Sequence, residues 1–191
     1  MKELNVMVVG VGGQGTLLTS RIIGKTALNA GFDVKLSEVH GMAQRGGSVV
    51  THVRIGNEIG APLVTEGEVD YILAFEKLEA LRWAYYLKKD GIILVNNQEI
   101  MPMPVITGMA EYPDSIFSKL AELGKKTVVV EGLELACAAG NSKAVNVVMI
   151  GALCALIGIE FNVALEAVRK CVPQKLLAVN EKALELGYNV K

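Results

Sequence analysis

The sequence is poor in several features that mark particular protein classes. Only 5% of its residues are aromatic, and 19 lysines and arginines face 20 acidic residues, which leaves a net charge of −1. A nucleic-acid-binding protein needs a basic stripe that replaces the counterions of phosphates, and no such stripe occurs here. We therefore expect no nucleic acid among its partners.

No segment has the length of a membrane-spanning helix. The longest apolar run, Val147–Ile159, is shorter than the about 20 residues that cross a bilayer. The apolar residues near the N-terminus lead into a glycine-rich turn and are not followed by the cleavage site of a secretory signal. These features predict a cytoplasmic protein that does not contact membranes.

Cysteines are few and widely spaced. Cys137, Cys154 and Cys171 form no C-x-x-C pair, so the sequence offers no zinc or iron–sulfur ligand set, and no other metal site is expected. Their odd number, in predicted helices, fits buried thiols in a reducing compartment. The chain also lacks G-x-S-x-G, a Walker lysine–serine pair and H-E-x-x-H, and no residue stands out as catalytic.

What the chain does contain is an alternation of predicted strands and helices. Short apolar runs predict strands at 4–10, 33–38, 69–76, 92–97 and 126–132, and helical spacing predicts helices at 14–31 and 77–91. Residues 48–56 alternate like a half-exposed strand that follows a loop, which predicts one antiparallel insertion. The order predicts a single α/β domain over 1–191: a Rossmann-like, mostly parallel sheet with helices on both faces.

The C-terminal third, from Leu133 onward, is predicted to be helical. Its segment Asn141–Gly158 is apolar almost all round, so it must be buried. The sequence leaves open whether the core or another chain buries residues 146–157. His52, on the strand at 48–56, is expected to be structural.

A glycine motif follows the first strand. Gly10, Gly12 and Gly15 match the pattern G-x-G-x-x-G between a predicted strand and a predicted helix. In that pattern the glycines allow a tight turn and a close approach of pyrophosphate. The helix N-terminus adds N–H donors for an anion, and an acid at the end of the second strand lies near a ribose-binding position. The candidate nucleotide or anion site is Gly10, Gly12, Gly13, Gln14, Gly15 and Glu38. The alternative is that the glycines only build the turn.

The second candidate is the loop "HGMAQRGGS" at 40–48, which is longer than the about 4–6 residues of an ordinary connection. Arg45 offers a planar fork of donors for carboxylate or phosphate, and His40 could titrate near neutral pH. We expect a partner or an anion to contact His40, Gln44, Arg45, Gly46, Gly47 and Ser48. The alternative is a solvated connection.

Three stretches together resemble a known family. They are "VVGVGGQGTLLTSRIIGKTALNAG", "EVHGMAQRGGSVVTHVRIG" and "GNSKAVNVVMIGALCALIG". They are similar to the small, gamma-type subunits of 2-oxoacid:ferredoxin oxidoreductases, and "GMAQRGGSVVTHVRIG" is most similar to the beta subunits of the indolepyruvate enzymes. The resemblance spans nearly the whole chain, and "QRGGSVVTHVR" is far more specific than the glycine motif.

The resemblance implies a non-catalytic subunit of a cytoplasmic hetero-oligomer. In this family, coenzyme-A-dependent oxidative decarboxylation takes place on a large subunit. That subunit carries thiamine diphosphate, magnesium and iron–sulfur clusters and passes electrons to ferredoxin. The present sequence agrees with this division, because it has no cysteine-rich ferredoxin motif and no G-D-G opening of a thiamine–magnesium motif.

A different class of function is also open at this point. A stand-alone nucleotide-binding enzyme or sensor would use Gly10–Gly15 and Glu38. An NAD-dependent reductase should add a proton donor after the fourth strand, where only amides and Glu99 occur. Purification distinguishes the two classes. An oxidoreductase subunit should carry a large iron–sulfur partner, whereas a stand-alone enzyme or sensor should carry a bound nucleotide.

Overall fold

The computed structural model describes residues 3–38 and 46–190. In these ranges six strands form one sheet in the order β2-β3-β1-β4-β5-β6. The strands are β1 (Leu4–Val11), β2 (Asp33–Glu38), β3 (Ser48–Gly56), β4 (Val69–Ala74), β5 (Leu87–Asn96) and β6 (Lys126–Val130). Strand β3 runs antiparallel to both β2 and β1, and the remaining neighbours are parallel. The mostly parallel sheet and its antiparallel insertion are thus confirmed.

Helices cover both faces of the sheet, as predicted. They are α1 (Thr16–Asn29), α2 (Lys77–Trp83), α3 (Met103–Ile106), α4 (Ile116–Glu122), α5 (Gly132–Ala139), α6 (Val145–Ile157), α7 (Phe161–Cys171) and α8 (Leu177–Tyr188). Side chains of β1 alternate between two cores, since strand residues point to opposite faces in turn. Val6 and Val8 pack with α1 and α5–α8, whereas Met7 and Val9 pack with α2 and α4.

The C-terminal helices form the larger of the two cores. The predicted helix at 141–158 begins as a 3₁₀ turn at Ser142–Ala144 and continues as α6. Residues 146–154 of α6 are all buried, in contact with α1, α5, α7, α8 and β5. The core of this chain therefore buries the apolar helix, and no second chain is needed to cover it.

The helix predicted at 77–91 is wrong in its second half. Helix α2 ends at Trp83, a 3₁₀ turn covers Ala84–Tyr86, and β5 begins at Leu87. Leu87 is buried and pairs with Val69 of β4. Pairing with a neighbouring strand and burial outweigh local helix propensity, which is a weak preference. The glycine expected to end the helix, Gly91, lies inside β5.

Strand β3 is more buried than its alternating sequence suggests. It lies between β2 and β1 and is covered on both faces, so the half-exposed strand predicted at 48–56 is wrong. His52 on this strand is 8% exposed and accepts a hydrogen bond from the Val64 amide through Nδ1, 3.3 Å away. Burial lowers the pKa of His52, so this side chain is a structural acceptor.

The three cysteines lie in three different helices and differ in exposure. Cys154 in α6 is buried, and burial raises the pKa of its thiol to about 12, so little thiolate forms at neutral pH. Cys171 in α7 is partly exposed, and Cys137 in α5 is exposed. The expectation of buried thiols is therefore wrong for Cys137.

Candidate functional site

The glycine-rich turn connects the end of β1 to the start of α1. Gly13 and Gly15 have φ of +104° and +84°, values that side chains other than glycine rarely adopt. The side chain of Gln14 closes the turn. Its Oε1 accepts from the Val11 amide at 2.8 Å, and its Nε2 donates to the Phe75 carbonyl at 3.0 Å. The turn is thus held to the residue that follows β4 by an amide side chain.

Two glycines of the motif serve packing within the chain. A Cβ on Gly10 would lie 2.9 Å from Oε1 of Gln14 and 3.1 Å from Cβ of Phe75. The amide of Gly12 donates to the carbonyl of Gly47 at 2.8 Å. In a dinucleotide site the second glycine leaves room for pyrophosphate, whereas here Gly47, the residue before β3, covers it. This side of the turn is closed by the chain itself.

Glu38 lies at the end of β2, but β2 is separated from β1 by β3. Its Oε1 accepts a hydrogen bond from the Ser20 hydroxyl of α1 at 2.7 Å. A ribose-binding acid belongs to the strand adjacent to β1, and the inserted β3 occupies that place. The structure therefore brings Gly10–Gly15 together but sets Glu38 one strand further away.

The loop at 40–48 is described from Gly46 onward, and His40, Gln44 and Arg45 lie outside the described residues. Gly46 has a φ of +91°. Ser48 opens β3, and its hydroxyl donates a short hydrogen bond to Oε2 of Glu79 in α2. The described end of the loop thus meets the N-terminal half of α2.

Two buried carboxylates beside this loop escaped the sequence analysis. Glu76 is 1% exposed and Glu79 is 4% exposed. Glu76 caps α2, because its Oε2 accepts from the Glu79 amide at 2.9 Å. Its Oε1 accepts from the Tyr112 hydroxyl and from the Ile100 amide, the latter at 3.3 Å. An acid directly before a predicted helix is the cap signal that could have identified Glu76.

The electrostatics of this carboxylate pair are set by burial and hydrogen bonds. Burial raises the pKa of Glu76, and the hydrogen bonds from Tyr112 and from the amides of Glu79 and Ile100 oppose that rise. Glu79 is held by Arg82, whose Nε lies 3.1 Å from Oε1, and by Nε1 of Trp83, 3.2 Å from Oε2. Such bonded carboxylates fix the position of the segments around them.

A shallow cavity of about 250 Å³ opens between Gly46–Ser48, α2 and the segment that follows β5. That segment carries the four-residue α3, none of whose residues is buried. Four apolar side chains there are between 43% and 77% exposed, namely Met101, Met103, Ile106 and Met109. We call these four residues the apolar strap. An exposed apolar surface of this kind is typical of a contact site.

Within residues 3–38 and 46–190, no three histidine, cysteine, aspartate or glutamate side chains come together as a metal site. Among the helices that the structure describes, none combines the length and apolar character needed to cross a membrane. What the described site offers is therefore a glycine turn, two internally bonded carboxylates, a shallow cavity and the apolar strap.

Comparison with known proteins identifies close relatives over the full chain. The family model described as pyruvate ferredoxin/flavodoxin oxidoreductase matches residues 5–190. Indolepyruvate oxidoreductase subunit IorB of Archaeoglobus fulgidus is 44% identical, over 98% of this chain and 94% of the relative. The same subunit of Thermococcus kodakarensis is 43% identical, over 98% and 95%.

Solved structures share the fold at low sequence identity. Pyruvate oxidoreductase subunit PORC of Thermotoga maritima has a TM-score of 0.74 at 23% identity, with 98% of this chain and 96% of that chain covered. The 2-oxoglutarate:ferredoxin oxidoreductase of Magnetococcus marinus has a TM-score of 0.72 at 21% identity. There the match covers 98% of this chain but 31% of the other, so the same fold occurs as part of a longer polypeptide.

Proposed function

Because this chain belongs to the pyruvate ferredoxin/flavodoxin oxidoreductase family, we propose that it is the small, non-catalytic subunit of an indolepyruvate:ferredoxin oxidoreductase. The observation that carries the proposal is the 43–44% identity to subunits of indolepyruvate oxidoreductases over nearly the full length of both chains. The complex would act on indolepyruvate or another aryl pyruvate in the cytoplasm, with coenzyme A as co-substrate and ferredoxin as electron acceptor.

The catalytic groups belong, in this proposal, to a larger partner subunit. That subunit would supply thiamine diphosphate, magnesium and iron–sulfur clusters. The donor set of this chain does not fit a cluster, since its cysteines lie in α5, α6 and α7 and the described residues bring no three metal-ligating side chains together. In the enzyme of Magnetococcus marinus the same fold is one part of a longer chain. This supports a role in which the present chain packs against other parts of a larger enzyme.

The partner would bind at the edge of the sheet where the parallel strands end. The apolar strap lies there, beside the cavity at Gly46–Ser48, and His40, Gln44 and Arg45 precede Gly46–Ser48 in the sequence. Apolar side chains of this exposure gain free energy when a partner covers them. Arg45 would contact an anionic group of the partner or of its substrate.

The test is purification of the affinity-tagged chain from its native host without oxygen. The eluate is assayed for reduction of a viologen dye that requires both indolepyruvate and coenzyme A. A large iron–sulfur protein should accompany the wild-type chain, and activity should follow it. Met103→Lys together with Ile106→Lys should weaken capture, because lysine adds a charge to an interface that excludes water.

Leu28→Lys is the matched control, since Leu28 is 54% exposed near the C-terminal end of α1, away from the glycine turn. It should leave capture unchanged. A chain that elutes alone, inactive and carrying a nucleotide would contradict the proposal. If Arg45→Ala matches wild type in assembly and turnover, the loop is not part of the contact surface.

A further inference from the structure

Residues 100–112, which carry the apolar strap, protrude from the body of the fold. Within 101–111, Pro102 and Val105 are partly buried and every other residue is exposed. The backbone hydrogen bonds of 101–111 stay inside that stretch, as from the Met109 amide to the Pro104 carbonyl at 2.8 Å. Among the described residues, its middle has no backbone hydrogen bond to the strands and helices of the body, so its two ends decide its position.

One buried carboxylate holds both ends of this segment. Oε1 of Glu76 accepts from the Ile100 amide at 3.3 Å and from the Tyr112 hydroxyl, while the ring of Tyr112 packs against the core formed with α2 and α4. Glu76 is 1% exposed, follows β4 and caps α2 through Oε2. A single side chain of the rigid body therefore fixes where the segment leaves the body and where it returns.

The composition of the segment is that of a contact element shaped before it binds. Pro102 and Pro104 restrict its backbone, because proline fixes φ. Residues 100–110 carry no charge, and the exposed side chains of the apolar strap are three methionines and one isoleucine. Methionine adapts to irregular apolar surfaces. The complementary surface is therefore an apolar groove and not a charged patch.

We propose that Glu76 is a positioning residue of the subunit interface. Through Ile100 and Tyr112, its carboxylate holds the apolar strap in the orientation in which it enters an apolar groove of the large subunit. The proposal rests on the proposed function, which supplies that partner. Glu76 is buried and acts through the strap. A segment released at either end would have to be ordered again at each encounter, and that ordering costs binding free energy.

The first test uses the full chain without its partner. Tyr112→Phe removes the hydrogen bond to Glu76 and keeps the ring. Thermolysin, which cleaves before apolar residues, should cut within 101–111 of this variant at least about threefold faster than in wild type, because cleavage follows the population of the released segment. Mass spectrometry of the digest locates the cuts. Glu76→Ala should be cut faster still, and Tyr112→Phe decides the matter if Glu76→Ala does not fold.

The second test measures how fast the large iron–sulfur subunit leaves the immobilised, affinity-tagged chain purified from its native host. Tyr112→Phe should speed release at least about threefold, and Met103→Ala together with Ile106→Ala should also speed it. In a variant that combines all three changes, Tyr112→Phe should add little, because both changes act through the same contact and their effects are not additive. A purely structural role of Tyr112 would multiply the release rate by the same factor in both backgrounds.

Tyr188→Phe is the matched control, since it too loses one hydrogen bond, from its hydroxyl to the Ile159 carbonyl at 2.9 Å, in the core on the other face of the sheet. Cleavage within 101–111 and the release rate should both equal those of wild type. If the strap variant releases the large subunit faster but Tyr112→Phe matches wild type, or acts equally in both backgrounds, the inference is overturned and the proposed function stands. A wild-type chain without a large iron–sulfur partner would overturn both, whatever the thermolysin result.

Discussion

Gly187 of α8 rests on the carbonyl group of Val148 in α6, so closely that a Cβ on Gly187 would overlap the carbonyl oxygen. The contact is reciprocal. A Cβ on Gly151 of α6 would overlap the carbonyl oxygen of Leu184 in α8. Glycine within a helix normally costs stability relative to alanine, and here it allows the two helix backbones to touch.

Gly187→Ala should lower the free energy of unfolding by about 3 kcal/mol or more, because backbone atoms cannot move aside as a flexible side chain can. Urea unfolding followed by circular dichroism measures the change. Gly60→Ala is the matched control, since nothing lies within 4 Å of its Cβ position, and it should shift the free energy by less than about 0.5 kcal/mol. Equal effects of the two substitutions would show that α6 and α8 separate at little cost.

The buried carboxyl of Glu76 predicts a specific pH dependence. Burial raises its pKa above the ordinary 4.5, so between 4.5 and the raised pKa the folded chain holds a proton that the unfolded chain has lost. Stability from this group therefore rises as the pH falls through that window and is lost as the pH rises through the raised pKa. Glu76→Gln, which does not titrate, should lack this contribution.

The measurement is the free energy of unfolding of wild type minus that of Glu76→Gln, taken at several pH values from 7 down to the ordinary pKa. The difference should increase in favour of wild type as the pH falls. Gln174→Ala, at an exposed position and without change to any titratable group, should give a difference that is flat with pH. A flat difference for Glu76→Gln would mean that Glu76 is ionised as easily when folded as when unfolded.

Gln14 should matter for stability as well as for the shape of the turn. In Gln14→Ala the amide of Val11 loses its acceptor, whereas the Phe75 carbonyl keeps Nδ2 of Asn96 at 3.1 Å. One unsatisfied donor costs about 1–3 kcal/mol. We expect that loss in denaturant unfolding, together with faster hydrogen exchange at Val11.

Gln174→Ala provides the comparison for this substitution. Gln174 is exposed, and its side chain makes no hydrogen bond within the described residues. Its removal should change the free energy of unfolding by less than about 0.5 kcal/mol. Unchanged protection of the Val11 amide in Gln14→Ala would show that water or another group replaces the glutamine.

The sequence by itself determined the sheet class, the antiparallel insertion, the helical C-terminal third and the family. These depend on local patterns: apolar runs, glycines between strand and helix, and the "QRGGSVVTHVR" stretch. Local patterns gave the wrong secondary structure for part of residues 77–91 and the wrong exposure for β3. In both, the partner strands of the sheet decided the outcome, and those partners are remote in sequence.

Only the tertiary structure decided which groups share a site. The order of strands put β3 between β1 and β2, which covered Gly12 and moved Glu38 away from the turn. It also brought the start of α6 to the start of α1, residues more than a hundred positions apart. Asn146 carries no motif, because its contact with Gly15 depends on how the C-terminal helices pack against α1.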